Sequence, residues 1–325
     1  MNQSGFEKGH GGLWQAFEQR LKNLRSRNSE EREQAAVEWP RQYRQLTHDL
    51  ALAQSRAYSP ELVDRLNLLV LSGHQRFYGA RGNLLAEMIE FIGGGFPALV
   101  RRESLVIWIA CGLLFIPLFG LVALLQYFPE FVHYLISPEQ LRSYESMYAP
   151  GNQVLGPRHN ADSQLLMFGY YIWNNVKIDF QCFATGILFG LGSVFFLLFN
   201  GVQIGGVAGY LTQQGYIQTF WGFVAGHSSW ELLGAAISGA AGLKLGWALI
   251  APGQLTRMAA LKQTSKVAIR LLYGAAGMTF CAAFFEAFWS SISSTPFAIK
   301  VGVGLTFWAL FLCYFLFAGR GRDAD

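Results

Sequence analysis

"QLLMFGYYIWNNVKIDFQCFATGILFGLGSVFFLLFNGVQIGGVAGYLTQQ", residues 164–214, decides how the chain folds. An α-helix needs about 20 predominantly apolar residues to cross a bilayer core of about 30 Å. Residues 180–199 meet that requirement and read as a span. Residues 201–224 are long enough for another, although Gln203, Thr212, Gln213 and Gln214 make it polar. Asn200-Gly201 between them reads as a tight turn, because both residues tolerate positive φ. A broken helix lining a cavity is the alternative. The preceding stretch, 164–179, is too polar to span. Its Tyr170, Tyr171 and Trp173 suit a helix lying at the headgroup level.

Working outward, the same test finds spans near 105–128, 229–250, 267–289 and 298–318, which makes six. Hydrophobic residues are 52% of the chain and charged residues 14%, against about 25% charged in soluble proteins. The depletion is uneven: 14 of the 25 Lys/Arg and 12 of the 21 Asp/Glu fall within residues 1–104. The expected organisation is therefore a charged cytoplasmic helical domain, 1–104, and a transmembrane domain, 105–325, with an outer loop and interfacial helix over 129–179. The fold class is all-α, a polytopic membrane helix bundle behind an N-terminal soluble helical domain. In the head, Tyr43, Leu46, Leu50, Ala53 and Ala57 form one helical stripe and Leu62, Leu66, Leu69 and Gly73 another. "SPEL" at 59–62 offers an N-cap serine and a proline at the first helical position.

Charge asymmetry sets the orientation. With six spans the head, the loop bearing Arg257, Lys262 and Lys266, and the tail with Arg320 and Arg322 share one side. The other side receives Arg142 and Arg158 against Glu130, Glu139, Glu145 and Asp162. Both termini are expected in the cytoplasm. The basic residues of the head are nearly matched by acids, so no nucleic acid is expected. The first thirty residues carry charges without an apolar core, so no signal peptide is expected. Cys111, Cys182, Cys281 and Cys313 stand in apolar runs without CxxC spacing and read as free thiols.

Small residues recur every four positions: Gly186 and Gly190; Gly201, Gly205 and Gly209; Gly234, Ser238, Gly242 and Gly246. In lipid such ridges let helix backbones approach closely, so they predict a tight bundle or a homodimer seam. Lys244, about 23 Å into its span at about 1.5 Å per residue, is expected to snorkel to the cytoplasmic surface.

Ionisable residues inside a membrane domain are functional candidates. Asp179, His227, Glu231 and Glu286 all fall near the outer ends of their spans and form a candidate polar cluster. "GHSSWE", 226–231, admits a plainer reading. Ser228 and Glu231 have capping-box spacing, with His227 outside it. His227 and Glu231 could give a metal two ligands, but no third stands at a recognisable spacing, so neither a metal nor another cofactor is expected. No HExxH appears, "GGGF" at 93–96 lacks a following Lys-Ser/Thr, and "AISG" at 236–239 lacks the leading glycine of a rhomboid nucleophile loop. No catalytic residue is assigned.

Three runs carry a family resemblance: 174–206, which opens on Asn174 and Asn175; "FVAGHSSWELLGAAISGAAGLKLGWALIAPG" at 223–253; and "FFEAFWS" at 284–290. The chain resembles the stage II sporulation protein M family of integral membrane proteins, in its longer form with a cytoplasmic head. The family usually has Pro-His-Gly before the Glu-Leu, where this chain has Gly226-His227-Ser228. The resemblance implies a bacterial cytoplasmic-membrane component of an envelope-associated assembly, with MoxR-type ATPases and von Willebrand A domain proteins as partners. From this come two functional expectations: a non-enzymatic membrane scaffold, or a transporter or channel with a polar outward-facing mouth.

Overall fold

The computed structural model describes residues 2–23, 29–78, 84–157 and 164–321, and among them it is helical throughout apart from one isolated β-bridge, Val154 to Ile292. Arg158, Asp162 and Arg322 of the charge argument lie outside the described residues. The chain divides into two compact units, Met1–Glu87 and Met88–Asp325. The first comprises α1 (Gln3–Asn23), α2 (Ser29–Ser55) and α3 (Pro60–Tyr78). There follow α4 (Leu84–Glu90), α5 (Phe96–Arg102), α6 (Ser104–Tyr127), α7 (Val132–Leu135), α8 (Pro138–Tyr148), α9 (Gln164–Ala184), α10 (Leu191–Gln213), α11 (Gly222–Ala225), α12 (Ser228–Ile250), α13 (Arg257–Phe285) and α14 (Phe297–Phe317).

In the head unit the expected stripes meet. Leu46 and Ala53 of α2 and Leu62, Leu66 and Leu69 of α3 are buried with Phe6, Trp14 and Phe17 of α1. Gly73 completes the α3 stripe, since a Cβ there would meet the rings of Phe17 and Tyr43. Ala57 does not belong to its stripe: α2 ends at Ser55 and Ala57 takes φ 49°. Asp49 is fully buried but well partnered, accepting from Trp14 Nε1 at 2.8 Å and Gln45 Nε2 at 3.0 Å, with His10 Nδ1 at 3.1 Å. Those bonds offset the cost of removing a carboxylate from water. Pro60 opens α3 as expected. The Ser59 hydroxyl, however, accepts from the Gln3 side chain at 3.0 Å.

The body begins earlier than residue 105. Phe96, Leu99 and Val100 of α5 are buried against Ile237 of α12, Ala268, Leu271 and Ala275 of α13, and Phe311 of α14. Five described helices are long and apolar enough to cross a membrane: α6, α10, α12, α13 with its continuation to Ser290, and α14. Of their most apolar windows, that of α12 is 67% buried and that of α14 only 11%. α12 is thus the axis of the bundle. Elsewhere Leu105, Trp108 and Ile116 of α6 and Leu305 and Leu312 of α14 point outward, as a lipid-facing belt requires.

Contacts along α12 give the direction of every neighbour. Near its C-terminal end, Gly246 meets Gly190 and Lys244 meets Glu103. Gly242 meets Gly186 and the carbonyls of Cys182 and Phe183, and Gly239 meets Leu197. Near its N-terminal end, Gly234 meets Thr279 and His227 meets Ser290. α9 therefore descends beside α12, α10 returns, α13 ascends, and α6 ascends alongside α10. α14 descends, with Lys300 bonded to Ser290 at one end and the Phe315 carbonyl accepting from Arg101 at the other. Among the described residues the backbone thus runs six times along the bundle, five times through the candidate spans and once through α9.

The passes are not where the sequence placed two of them. The expected spans 180–199 and 201–224 are replaced by α9 and α10, and the boundary falls at 185–190 instead of Asn200-Gly201. There Phe189 takes φ 52° and Gly190 φ 80°, and the Gly190 N–H returns to the Gly186 carbonyl at 2.8 Å. Ser193 Oγ donates to the Cys182 carbonyl at 2.6 Å, tying the two passes together. Asn200 lies inside α10 with its amide donating to the Phe196 carbonyl at 2.7 Å. Gly201 is needed for contact rather than for a turn, because a Cβ there would strike the Leu114 carbonyl. The expected interfacial helix, 164–179, is likewise the first three-quarters of α9. Its polar residues Asn175 and Asp179 share a face with Tyr171 and Cys182, and that face is buried. Averaging hydropathy around the helix hid this.

All three glycine ridges are used within the chain. Gly201, Gly205 and Gly209 receive Leu114, Leu118 and Leu121–Val122 of α6. The α12 ridge receives α9, α13 and the 185–190 break. None is left as an outward seam, so the ridges give a homodimer no support. Lys244 does not snorkel: its Nζ donates to Glu103 Oε2 at 2.6 Å, with only 28% and 13% of the two side chains exposed. A carboxylate at the α5–α6 junction offers it a nearer partner than water.

Gly242→Ala would drive a Cβ into the Cys182 and Phe183 carbonyls and the Ser193 hydroxyl, whereas Gly277 has nothing within 4 Å. Overpacking of this kind costs about 1–3 kcal/mol. Gly242→Ala should therefore lower the unfolding midpoint in detergent while Gly277→Ala leaves it unchanged.

Candidate functional site

The N-terminal end of α12 collects the ionisable residues of the body. α10 ends at a turn with Gly215 at φ 87°. A π-helical turn, 217–221, and α11 then lead into α12. His227 is the N-cap of α12 without a side-chain capping bond. The expected capping box is absent. The Glu231 N–H bonds the His227 carbonyl at 3.1 Å, and Ser228 Oγ faces the Ala225 carbonyl at 3.4 Å and accepts from Trp308 Nε1 at 3.3 Å. Because α11 already runs helically into α12, little is left at this N-terminus for a serine to cap. A capping box does form at Ser137 and Gln140, opening α8. The S-P-x-Q signal there is as legible as the one at Ser228.

With no capping role, Glu231 is turned inward. His227, Glu231 and Glu286 each offer one ligand atom, and these atoms lie within 4.8 Å of one another. His227 Nε2 is 3.9 Å from Glu231 Oε2. The third member comes from α13, where Glu286 begins a π-helical turn, Glu286–Ser290. Such turns recur at functional sites because they redirect side chains within a helix. Here the turn presents Glu286 at one end and Ser290 at the other. Ser290 Oγ sits 3.0 Å from His227 Nδ1, and the Ser290 carbonyl accepts from Lys300 Nζ at 2.8 Å. Asn175 of α9 donates to Glu286 Oε2 at 3.4 Å.

Of the expected cluster, the structure brings His227, Glu231 and Glu286 together. Asp179 lies one helical turn deeper than Asn175, receiving a hydrogen bond from Thr279 Oγ1 at 2.9 Å. It is fully enclosed rather than near the outer face. Its Oδ1 faces the Ser238 hydroxyl, a second and weaker partner just short of good hydrogen-bond geometry. Asn174 bonds only its neighbour Asn175. Asn200, Gly201, Gly205 and Gly209 belong to the α6–α10 seam. Gly234 and Gly242 pack under the site, and Lys244 is at the opposite end of α12. The sequence places Lys300 at the level of the cluster, together with Lys177, but gives Ser290 no part in it. The signal for the serine was there, four residues after Glu286.

The cluster is closed above and below. Above, the Phe223 ring stands on His227 at 5.2 Å, and Tyr148 packs on Phe220 and Phe223 at 5.2 and 5.6 Å. Burial, and then the carboxylate of Glu286, push the Tyr148 phenol well up, so it stays protonated. Gly156, at φ 92°, presses against the Phe223 ring. The loop is pinned there by Leu155 N–H to Ser291 O at 3.0 Å and Ser293 Oγ to Gln153 O at 2.7 Å. Below lie Ala236, Ser238, Ala240, Ala241 and the glycine contacts of α12, all buried. Beside the roof lies a cavity of about 460 Å³, lined among others by Gln153, Gln218, Thr295 and Lys300.

Two family models match. The model described as stage II sporulation protein M covers residues 105–291, and a domain of unknown function, DUF8413, covers residues 4–79. No curated protein and no solved structure is detectably similar. The first match holds the whole cluster except Lys300; the second coincides with the three-helix head.

Ser290→Ala would leave His227 Nδ1 buried without its partner while keeping the backbone carbonyl that holds Lys300. A buried polar group deprived of its partner costs about 1–3 kcal/mol. Chemical or thermal unfolding in detergent should register that loss.

Proposed function

We propose, from the premise that the chain belongs to the stage II sporulation protein M family, that it is a non-enzymatic multipass scaffold of an envelope-associated assembly in a bacterial cytoplasmic membrane. The observation that supports this reading is the closure of the polar cluster. A transporter needs a polar path that alternates between the two sides. Beneath the cluster the backbone of α12 is instead in direct contact, through Gly242 and Gly246, with Gly186 and Gly190 of the 185–190 break and with the last carbonyls of α9. Apart from the Ser193 hydroxyl, this seam is backbone against backbone, with little that can move aside to open it.

The head has its own core and is the natural docking element for cytoplasmic partners, which the family setting suggests are a MoxR-type ATPase and a von Willebrand A domain protein. Six passes put both ends of the body on one side, and Arg257, Lys262 and Lys266 accompany them. By the positive-inside rule that side is the cytoplasm.

Three measurements test this. A co-expressed MoxR-type ATPase should co-purify with the full chain and not with residues 88–325; retention by the truncated form would overturn the docking role of the head. Purified protein in liposomes should pass no ions or small solutes, and Glu231→Gln and Glu286→Gln should change nothing. Flux that either substitution abolishes would establish the transporter reading instead. A cysteine at Arg257, in a chain whose own cysteines are replaced, should react with an impermeant maleimide only after the cells are opened.

A further inference from the structure

We propose that His227, Glu231 and Glu286 bind a divalent first-row transition-metal ion of the zinc class, with Ser290 as the residue that orients the imidazole. Nothing in the scaffold reading requires this site, and each can fail without the other.

The argument begins from charge. Two carboxylates and an imidazole converge at the junction of α12 and α13, where His227 is 3% and Glu286 8% exposed. A third carboxylate, Asp179, is 1% exposed on the adjoining face of α9, one helical turn below Asn175. Its Oδ1 has the Ser238 hydroxyl beside it, just short of good hydrogen-bond geometry. Buried charges are ordinarily paired or bound to metal. The one lysine beside the cluster, Lys300, spends its ammonium on the Ser290 carbonyl. The protein partners among them are few: Asn175 gives Glu286 one long bond of 3.4 Å, and Thr279 serves Asp179. The acids therefore outnumber the donors and cations that face them.

The donor set is also the right kind. Metal-bound histidines usually donate their second ring N–H to an oxygen, which fixes the tautomer and aims the other nitrogen's lone pair at the ion. Here Nδ1 lies 3.0 Å from Ser290 Oγ, and Nε2 is the atom that faces Glu231. With Nδ1–H donating to Ser290 Oγ, the Nε2 lone pair faces the Glu231 carboxyl, and a shared cation or a proton on that carboxyl is what can join the two. One imidazole with two carboxylates suits zinc, or manganese(II) among the harder ions. Metal–ligand bonds of about 2.1 Å place tetrahedral ligand atoms about 3.4 Å apart. The observed separations, up to 4.8 Å, close to that by small side-chain rotations. Glu231, with 26% of its side chain exposed, gives the ion a way in.

The ligands come from sequence-distant elements: the α11–α12 junction, the first turn of α12, and the π-turn at the end of α13. An ion there would lock these elements together at the outer end of the bundle.

The test uses the full chain in detergent, stripped with a chelator and titrated with Co²⁺ as the visible probe, then with Zn²⁺. About one Co²⁺ per chain should bind with d–d absorption, and Zn²⁺ should displace it and raise the unfolding midpoint. His227→Gln and Glu286→Gln should abolish the absorption, Glu145→Gln should retain it, and Ser290→Ala should weaken affinity about tenfold to a hundredfold. X-ray absorption of the wild-type zinc form should show one imidazole, oxygen and no sulfur, and it decides the matter even if the variants misfold. Absence of stoichiometric binding would mean that protons neutralise the acids, and would overturn the proposal. So would a sulfur ligand, or binding undiminished in a folded Glu286→Gln variant.

Discussion

The body is organised by how near one backbone can come to another along α12. In hydrocarbon there is no water to drive helices together, so packing energy must come from contact. A glycine at each crossing on α12 brings the carbonyls and α-carbons of α9, the 185–190 break and α13 within touching distance. The same spacing on α10 admits α6. What depends on it is more than stability. The polar residues at the other end of α12 come from three helices, and their mutual geometry is set by the depth to which each is seated in these grooves.

That dependence explains which parts of the molecule were legible in the sequence. α6, α12 and α14 each hold an apolar run long enough to span, and hydropathy finds them within a few residues. The head stripes are legible for the same reason: Leu62, Leu66 and Leu69 repeat at helical spacing against a polar background. α9 was misread because one of its faces carries Asn175 and Asp179 into the protein while another carries Phe180 and Trp173 outward. An average around the helix returns the answer for neither face. Asn200-Gly201 misled through a local preference for turns that the tertiary contact with Leu114 overrides. His227, Glu231 and Glu286 were legible as one cluster because they fall at the same level of their spans, but the π-turn that aims Glu286, 55 positions after Glu231, at the other two was not. Nothing in "FFEAFWS" announces that one turn of the helix will be widened.

The two ends of α12 settle their charges differently. At one, Glu103 and Lys244 form a short ion pair, each partner answering the other. At the other, His227, Glu231, Glu286 and Asp179 gather with a lysine whose ammonium is committed to a main-chain carbonyl. The first arrangement is self-contained. The second holds an excess of acceptors under a roof of Phe223 and Tyr148.

The buried polar face of α9 also bears on biogenesis. A helix bearing Asp and Lys within its length partitions poorly into lipid, each such residue near the centre opposing insertion by about 2.5–3.5 kcal/mol. The groups that accommodate Asn175 and Asp179, namely Glu286 and Thr279 of α13 and the glycine face of α12, are synthesised later. The second pass therefore has no stable berth when it leaves the ribosome. It must be held at the membrane surface or inside the insertion machinery until α12 and α13 arrive, so the bundle closes out of the order in which it is made.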